Sequence, residues 1–220
     1  MRNSNVGLAR VLPLLMLMAN LAWPVAFAAS GPASESPTEV VRGTLTEVFR
    51  ILDDPKLKEP AKATGRRQKL EEVISSRFDY AEMSKRTLAA QWSKLTPAQR
   101  TEFVDLFKAF LSDRYAGRIE DYSGEQVQYL SERLEGPYAE VRTKLVSSKT
   151  EIPMDYRLIN KDGRWYAYDI IADGISLVKN YRSQFEKIIR SDSYQELVTR
   201  LQNRTVPDDK EKNQKRAERH

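Results

Sequence analysis

Tyr138-Ala139-Glu140-Val141-Arg142-Thr143-Lys144-Leu145-Val146 alternates in strict order: Ala139, Val141, Thr143 and Leu145 fall on one side, Glu140, Arg142 and Lys144 on the other. A period of two places successive side chains on opposite faces of an extended chain. This stretch therefore reads as a strand with one face meant for burial. Ile152, Met154, Tyr156 and Leu158 repeat the pattern against Pro153, Asp155 and Arg157. Asn160-Lys161-Asp162-Gly163 follows as a hairpin turn, since glycine supplies the positive φ that such a turn needs. Arg164–Ile171 is the next strand. It is apolar on both sides, with Trp165 and Ala167 facing one way and Tyr166, Tyr168 and Ile170 the other. A short strand around Val127–Leu130 comes before. Together they predict an antiparallel meander of about four strands.

Helical periodicity flanks the meander. Ser36-Pro37-Thr38-Glu39 has a capping serine, proline at the first helical position and an acid three residues on, and Val40, Val41, Leu45, Val48, Phe49 and Leu52 then recur at helical spacing. Asp53-Asp54-Pro55 ends that helix. A shorter helix is predicted from Gly65 or Arg66 to Ser75, and another over Phe78–Leu88 with Trp92 in the turn after it. Thr96-Pro97-Ala98-Gln99 opens a long helix with Phe103, Leu106, Phe107, Phe110, Leu111 and Tyr115 in one stripe, running to about Ile119. After the strands, Asp173-Gly174 turns the chain into a helix striped by Val178, Tyr181, Phe185, Ile188 and Ile189. A final helix spans Ser193–Leu201. Helices, then an antiparallel sheet, then helices define an α+β domain, here assigned to residues 37–206.

The two ends read differently. Arg2 and Arg10, the apolar run Val11–Leu21 and Ala26-Phe27-Ala28 have the layout of a secretory signal over residues 1–28. The run is short for a membrane span. Residues 29–36 read as a flexible leader and 207–220 as a disordered charged tail. Export implies work in the bacterial periplasm.

Composition closes several routes to chemistry. The 220 residues include no cysteine and a single histidine, His220. A Ser-His-Asp triad, a thiolate nucleophile and a histidine- or cysteine-ligated zinc each lack a necessary member. A paired-carboxylate hydrolase or a Ser-Lys nucleophile stays open. Asp155, Asp169 and Asp173 are the acids to weigh, against their commoner roles as turn formers and ion-pair partners. Gly163 and Gly174 are turn glycines outside any phosphate-cradling pattern. The formal net charge of +5 comes from interspersed signs, without the basic stripe and interleaved aromatics expected of a nucleic-acid surface.

Two segments carry a resemblance. One is Phe78-Asp79-Tyr80-Ala81-Glu82-Met83-Ser84-Lys85, followed by Trp92, Leu95-Thr96-Pro97-Ala98-Gln99-Arg100, Phe103, Phe107, Leu111 and Tyr115. The other runs from Trp165-Tyr166-Ala167-Tyr168-Asp169-Ile170-Ile171-Ala172-Asp173-Gly174 through Ile175-Ser176-Leu177-Val178 to Asn180-Tyr181-Arg182-Ser183-Gln184-Phe185. The pattern resembles the MlaC family, also called the toluene-tolerance family of periplasmic phospholipid-binding proteins, over about residues 38–202.

The resemblance implies helices packed on a twisted antiparallel sheet, enclosing an apolar lipid pocket. It implies a monomeric, non-enzymatic carrier with no cofactor, the bound phospholipid being cargo. Its partners would be an outer-membrane lipoprotein–porin complex and an inner-membrane ABC transporter complex with its substrate-binding ring, and its role the maintenance of outer-membrane lipid asymmetry. The candidate lipid-binding residues are Phe107, Phe110, Tyr115, Val141, Thr143, Leu145, Met154, Tyr156, Leu158, Trp165, Tyr168, Val178 and Tyr181. Lys85, Arg86, Lys94, Arg100 and Arg142 are candidate contacts to acidic partners or lipid phosphate. A hopanoid cargo and a solid-cored envelope adaptor are the alternatives. Periodicity alone does not separate a closed core from a hollow one.

Overall fold

The structure is a computed structural model that describes residues 35–207 except Ser123 and Lys149. The expected signal, most of the leader and the tail beyond residue 207 lie outside the described residues. The six α-helices among the described residues are α1 Pro37–Asp53, α2 Ala63–Arg77, α3 Tyr80–Leu88, α4 Pro97–Glu120, α5 Leu177–Ser191 and α6 Tyr194–Gln202. The five strands are β1 Gln126–Glu135, β2 Tyr138–Val146, β3 Glu151–Lys161, β4 Arg164–Ala172 and β5 Ile175–Ser176, in spatial order β1-β2-β3-β4-β5 and all antiparallel.

The expected helix starts form as read. Ser36 Oγ accepts the Glu39 N–H at 3.2 Å. Thr96 and Gln99 make a reciprocal capping box, with Gln99 N–H donating to Thr96 Oγ1 at 3.3 Å and Thr96 N–H to Gln99 Oε1 at 2.9 Å. Each satisfies donors that a helix start leaves unpaired. Asp162 (φ 53°) and Gly163 (φ 80°) are both left-handed and form the tight β3–β4 turn.

Four expectations shift. α3 begins at Tyr80, because Phe78 stays extended and bridges Ala167 of β4 in parallel, and the Asp79 N–H donates to the Ala167 carbonyl at 2.7 Å. Asp79 then caps α3 through Oδ1 to the Glu82 N–H. Trp92 lies in a 3₁₀ segment, Ala89–Lys94. β1 extends ten residues rather than four. Its second half, Ser131–Glu135, is an exposed edge held by the ladder to β2, so it shows no burial pattern in sequence. Finally, Asp173 (φ 51°) and Gly174 (φ 76°) turn β4 back into the two-residue β5 before α5 begins.

Most of the buried hydrophobics described form three clusters. Phe103, Phe107 and Phe110 of α4 pack with Tyr181 and Phe185 of α5, Met83 and Leu88 of α3, and Leu197 and Leu201 of α6. Val40 and Val41 of α1 pack on Ala139, Val141, Tyr156, Leu158, Trp165 and Ala167 of the sheet. Val48, Ile51 and Leu52 of α1 pack on Leu70 of α2. α4 packs chiefly on α3 and α6, while the sheet is met by α1, α2, α3 and α5.

Candidate functional site

Antiparallel partners project to the same side of a sheet, so the register defines one continuous apolar face. Leu158 of β3 lies between Ala139 and Ala167, Tyr156 between Val141 and Ile170, Met154 between Thr143 and Ala172, and Ile152 beside Leu145. On the outer strands, Tyr129 pairs with Thr143, Val127 with Leu145, and Ile175 with Ala172.

Cover falls away along this face. Ala139, Val141, Leu158, Trp165 and Ala167 are buried beneath Val40 and Val41. Leu145, Met154, Ile170 and Ala172 are only half-buried. Ile152 is 38% exposed and Ile175 39%. The cause lies in α1. Its first half caps the sheet, and Glu132 of β1 fixes that end by accepting both the Thr38 N–H at 2.8 Å and the Thr38 hydroxyl at 2.6 Å. Leu45 still leans on the sheet, but Val48, Ile51 and Leu52 turn to α2 instead. The Phe49 ring stacks on Tyr122, just past α4, with centroids 4.6 Å apart. The far half of the sheet face is thus an apolar floor that α1 does not cover after Leu45.

The floor holds few polar atoms, and those are managed. Thr143 is 1% exposed and donates its hydroxyl to the Met154 carbonyl at 2.6 Å, so it presents its methyl to the interior. Burial pushes the Tyr156 phenol far above the usual tyrosine range, leaving it neutral at any physiological pH. Burial also raises Tyr129, opposed by the Arg42 guanidinium lying 3.9 Å from its ring centre.

The opposite sheet face carries a ladder of charged side chains. Glu140 accepts from Arg142 at 2.9 Å and from Arg157 at 3.4 Å. Partial burial works to raise Glu140, and the two guanidiniums outweigh it and hold the carboxyl below its usual value. Asp155 is raised, mainly by burial and secondarily by Glu140. Asp169 is 1% exposed and accepts the Ser176 hydroxyl at 2.7 Å, the Val178 N–H at 3.0 Å and Arg157 at 3.5 Å. It anchors the start of α5 to β4. Asp173 occupies the left-handed turn position. Each of the three acids weighed for chemistry thus sits in a charge ladder, a helix anchor or a turn.

The thirteen candidate residues fall into separate places. Val141, Thr143, Leu145, Met154, Tyr156, Leu158 and Trp165 share the sheet face, five of them buried and Leu145 and Met154 half-buried. Phe107, Phe110, Val178 and Tyr181 are buried in the helical cluster, where Phe107 and Phe110 meet Tyr181 edge-on at 5.4 and 5.6 Å. Tyr115 borders that cluster, its hydroxyl 3.2 Å from that of Tyr181. Phe78 borders both groups. Tyr168 is placed elsewhere: a bulge between Arg157 and Leu158 leaves it without a register partner, and its ring lies under the Arg86 guanidinium at 4.1 Å and against Tyr138. The same bulge corrects the expected facing of β4. Ile170 joins Trp165 and Ala167 on the floor, because one inserted residue reverses the alternation.

Of the basic candidates, Arg86 is paired with Glu82 and stacked on Tyr168, Arg142 is paired with Glu140, and Arg100 donates to the Trp92 carbonyl. Leu45, Tyr129, Ile152 and Ile170 are floor or roof residues missing from the candidate set. Leu45 and Ile152 had the right periodicity, whereas Ile170 was hidden by the bulge.

Known proteins resemble this chain in sequence and in fold. The family model described as MlaC protein matches residues 42–203. The toluene tolerance protein ttg2D of Pseudomonas putida is 27% identical over 156 residues, 70% of this chain and 73% of that protein. The intermembrane phospholipid transport system binding protein MlaC of Haemophilus influenzae is 23% identical over 123 residues, 53% of this chain and 58% of that protein. Among solved structures, a phospholipid-binding protein from Ralstonia solanacearum in complex with a phospholipid superposes with a TM-score of 0.67 at 26% identity, covering 76% of this chain and 94% of that one. A family match running from within α1 to the end of α6, on the same α+β frame, places the chain in the MlaC family.

Proposed function

We propose that this protein is a periplasmic carrier that holds a phospholipid with its acyl chains on the half-covered sheet face and moves it between the two membranes of the envelope. The observation that carries the reading is the gradient of cover along that face, from buried Ala139, Val141 and Leu158 to half-buried Leu145 and Met154. A homologous frame that holds a phospholipid supports it. The physical need is plain. Each acyl methylene moved into water costs ~0.8 kcal/mol, so a lipid with roughly 30 of them costs on the order of 20 kcal/mol to hold bare. Carriage needs apolar surface and release, and no catalytic group.

Donor and acceptor are proposed as the outer-membrane lipoprotein–porin complex and the inner-membrane ABC transporter with its substrate-binding ring, working to keep the outer membrane's lipids asymmetric. The test is mass spectrometry of the organic extract from purified protein, followed by incubation of stripped protein with phosphatidylethanolamine–phosphatidylglycerol vesicles. Phospholipid at near one molecule per chain is expected in both. A chain purified without lipid that also extracts none from vesicles would overturn the proposal. Recovery of a polycyclic lipid alone would change the cargo and keep the floor.

A further inference from the structure

We propose that the outward face of α5 is where the protein rests on a membrane surface rich in anionic phospholipid, held there by charge alone. The contact lies on a surface other than the floor, so it goes beyond the carrier reading and does not depend on it. The exposed residues of α5 are Lys179, Arg182, Ser183, Glu186, Lys187, Arg190 and Ser191, which bring four cations and one acid to solvent. Lys179, Glu186 and Arg190 stand in one row along the helix, with Arg182 and Lys187 on either side of it. The row is about 16 Å long at 1.5 Å per residue. Cations interspersed in sequence converge here because Val178, Tyr181, Phe185 and Ile188 hold the opposite face in the helical cluster.

None of the four cations forms an ion pair among the described residues. Acid and base four apart do close on other helices, Glu82–Arg86 at 2.8 Å and Glu196–Arg200 at 2.7 Å. Glu186 and Arg190 have the same spacing and stay apart. Of the acids flanking the helix, Asp192 is paired with Arg200 at 3.2 Å, and Asp173 holds the left-handed turn before β5. The first turn of α5 holds Lys179 and no acid, so its charge adds to the positive end of the helix dipole. The face is thus an unneutralised source of positive potential. An acidic protein is the other class of partner such a face could attract. Protein interfaces centre on buried apolar and aromatic side chains, and this face exposes none. A layer of headgroups needs only charge, and each Lys or Arg near it strengthens attachment about fivefold.

The test is flotation of the full chain, stripped of lipid, on phosphatidylcholine vesicles with and without phosphatidylglycerol. One variant combines Lys179→Gln, Arg182→Gln, Lys187→Gln and Arg190→Gln. A second combines Lys56→Gln, Lys62→Gln, Lys69→Gln and Lys94→Gln, four exposed lysines without ion pairs on other elements, and so has the same net charge. The unchanged chain should float with the anionic vesicles only, and detach as salt screens the exposed charges. The α5 variant should bind on the order of a hundredfold more weakly, and each single change about fivefold, while the second variant stays close to the unchanged chain. Equal weakening of both variants, or an unchanged chain that ignores anionic vesicles, would overturn the proposal. Retention on immobilised polyglutamate that only the α5 variant loses, without flotation on vesicles, would assign the face to an acidic protein and also overturn it. Lipid uptake from neutral vesicles by the same variant, counted by mass spectrometry, tests the carrier reading separately, so either can fail without the other.

Discussion

The carboxylate of Asp169 receives a hydroxyl, a backbone N–H and a guanidinium, and water barely reaches it. Removing a buried acceptor leaves its donors without partners, which costs more than the bond itself contributes. Asp169→Ala should therefore lower stability by ~2–3 kcal/mol in urea unfolding. Lipid carried per folded chain should stay the same, because the carboxylate faces away from the floor. Leu145 behaves in the opposite way. It is half-buried, so a charge there can reach water in the empty protein and cannot do so beneath an acyl chain. Leu145→Asp is expected to reduce co-purifying lipid about tenfold, or ~1.4 kcal/mol in affinity, with little change in melting temperature. Mass spectrometry beside a thermal scan separates the two effects.

At the scale of elements, the sheet uses its two faces for different work. The charged ladder ties β2, β3 and β4 together through Glu140, Arg157 and Asp169. Because Glu140 sits below its ordinary value of 4.5 in the folded chain, its stabilisation is present above that value and is lost as pH falls through the lower folded value. Glu140→Gln should thus lower stability at pH 7, where that contribution is fully present, change little at strongly acid pH, where it is already lost, and so flatten the acid limb of a stability–pH curve below about pH 4.5. The apolar face depends on where α1 is held. Glu132 satisfies the first turn of α1 from β1, and its negative charge meets the positive end of the helix dipole. Glu132→Ala should destabilise the fold by ~0.5–1 kcal/mol in chemical denaturation.

Across the whole molecule, the apolar interior is divided into a packed helical cluster, a sheet cluster and a small α1–α2 cluster. The helical cluster, with Phe103, Phe107 and Phe185 fully buried, gives a carrier a body that does not need cargo to fold. In the proposed reading, the sheet side carries the surface that cargo covers. Cargo that binds only the folded chain raises its stability, by ~2.7 kcal/mol when free lipid is a hundred times its dissociation constant. Stripped protein should accordingly melt several degrees below the loaded form, and a scan before and after extraction measures this.

Much of this was written in local pattern. The strict alternation of Tyr138–Val146 determined a strand with one buried face, the caps at Ser36 and Thr96 determined where α1 and α4 begin, and Asp162-Gly163 determined a tight turn. Each depends only on neighbours in sequence, through side-chain periodicity and backbone dihedral preference. Tertiary structure decided what no local pattern encodes. The bulge that sends Tyr168 to Arg86 and Ile170 to the floor depends on how β4 pairs with β3. The extended Phe78 depends on a backbone bond to Ala167, and the length of β1 on its ladder to β2. Whether a buried-looking residue lies in a filled core or on an open floor depends on which helix lies over it, and α1 settles that by leaving the sheet after Leu45. Periodicity reports that a side chain avoids water; only the fold determines what takes the water's place.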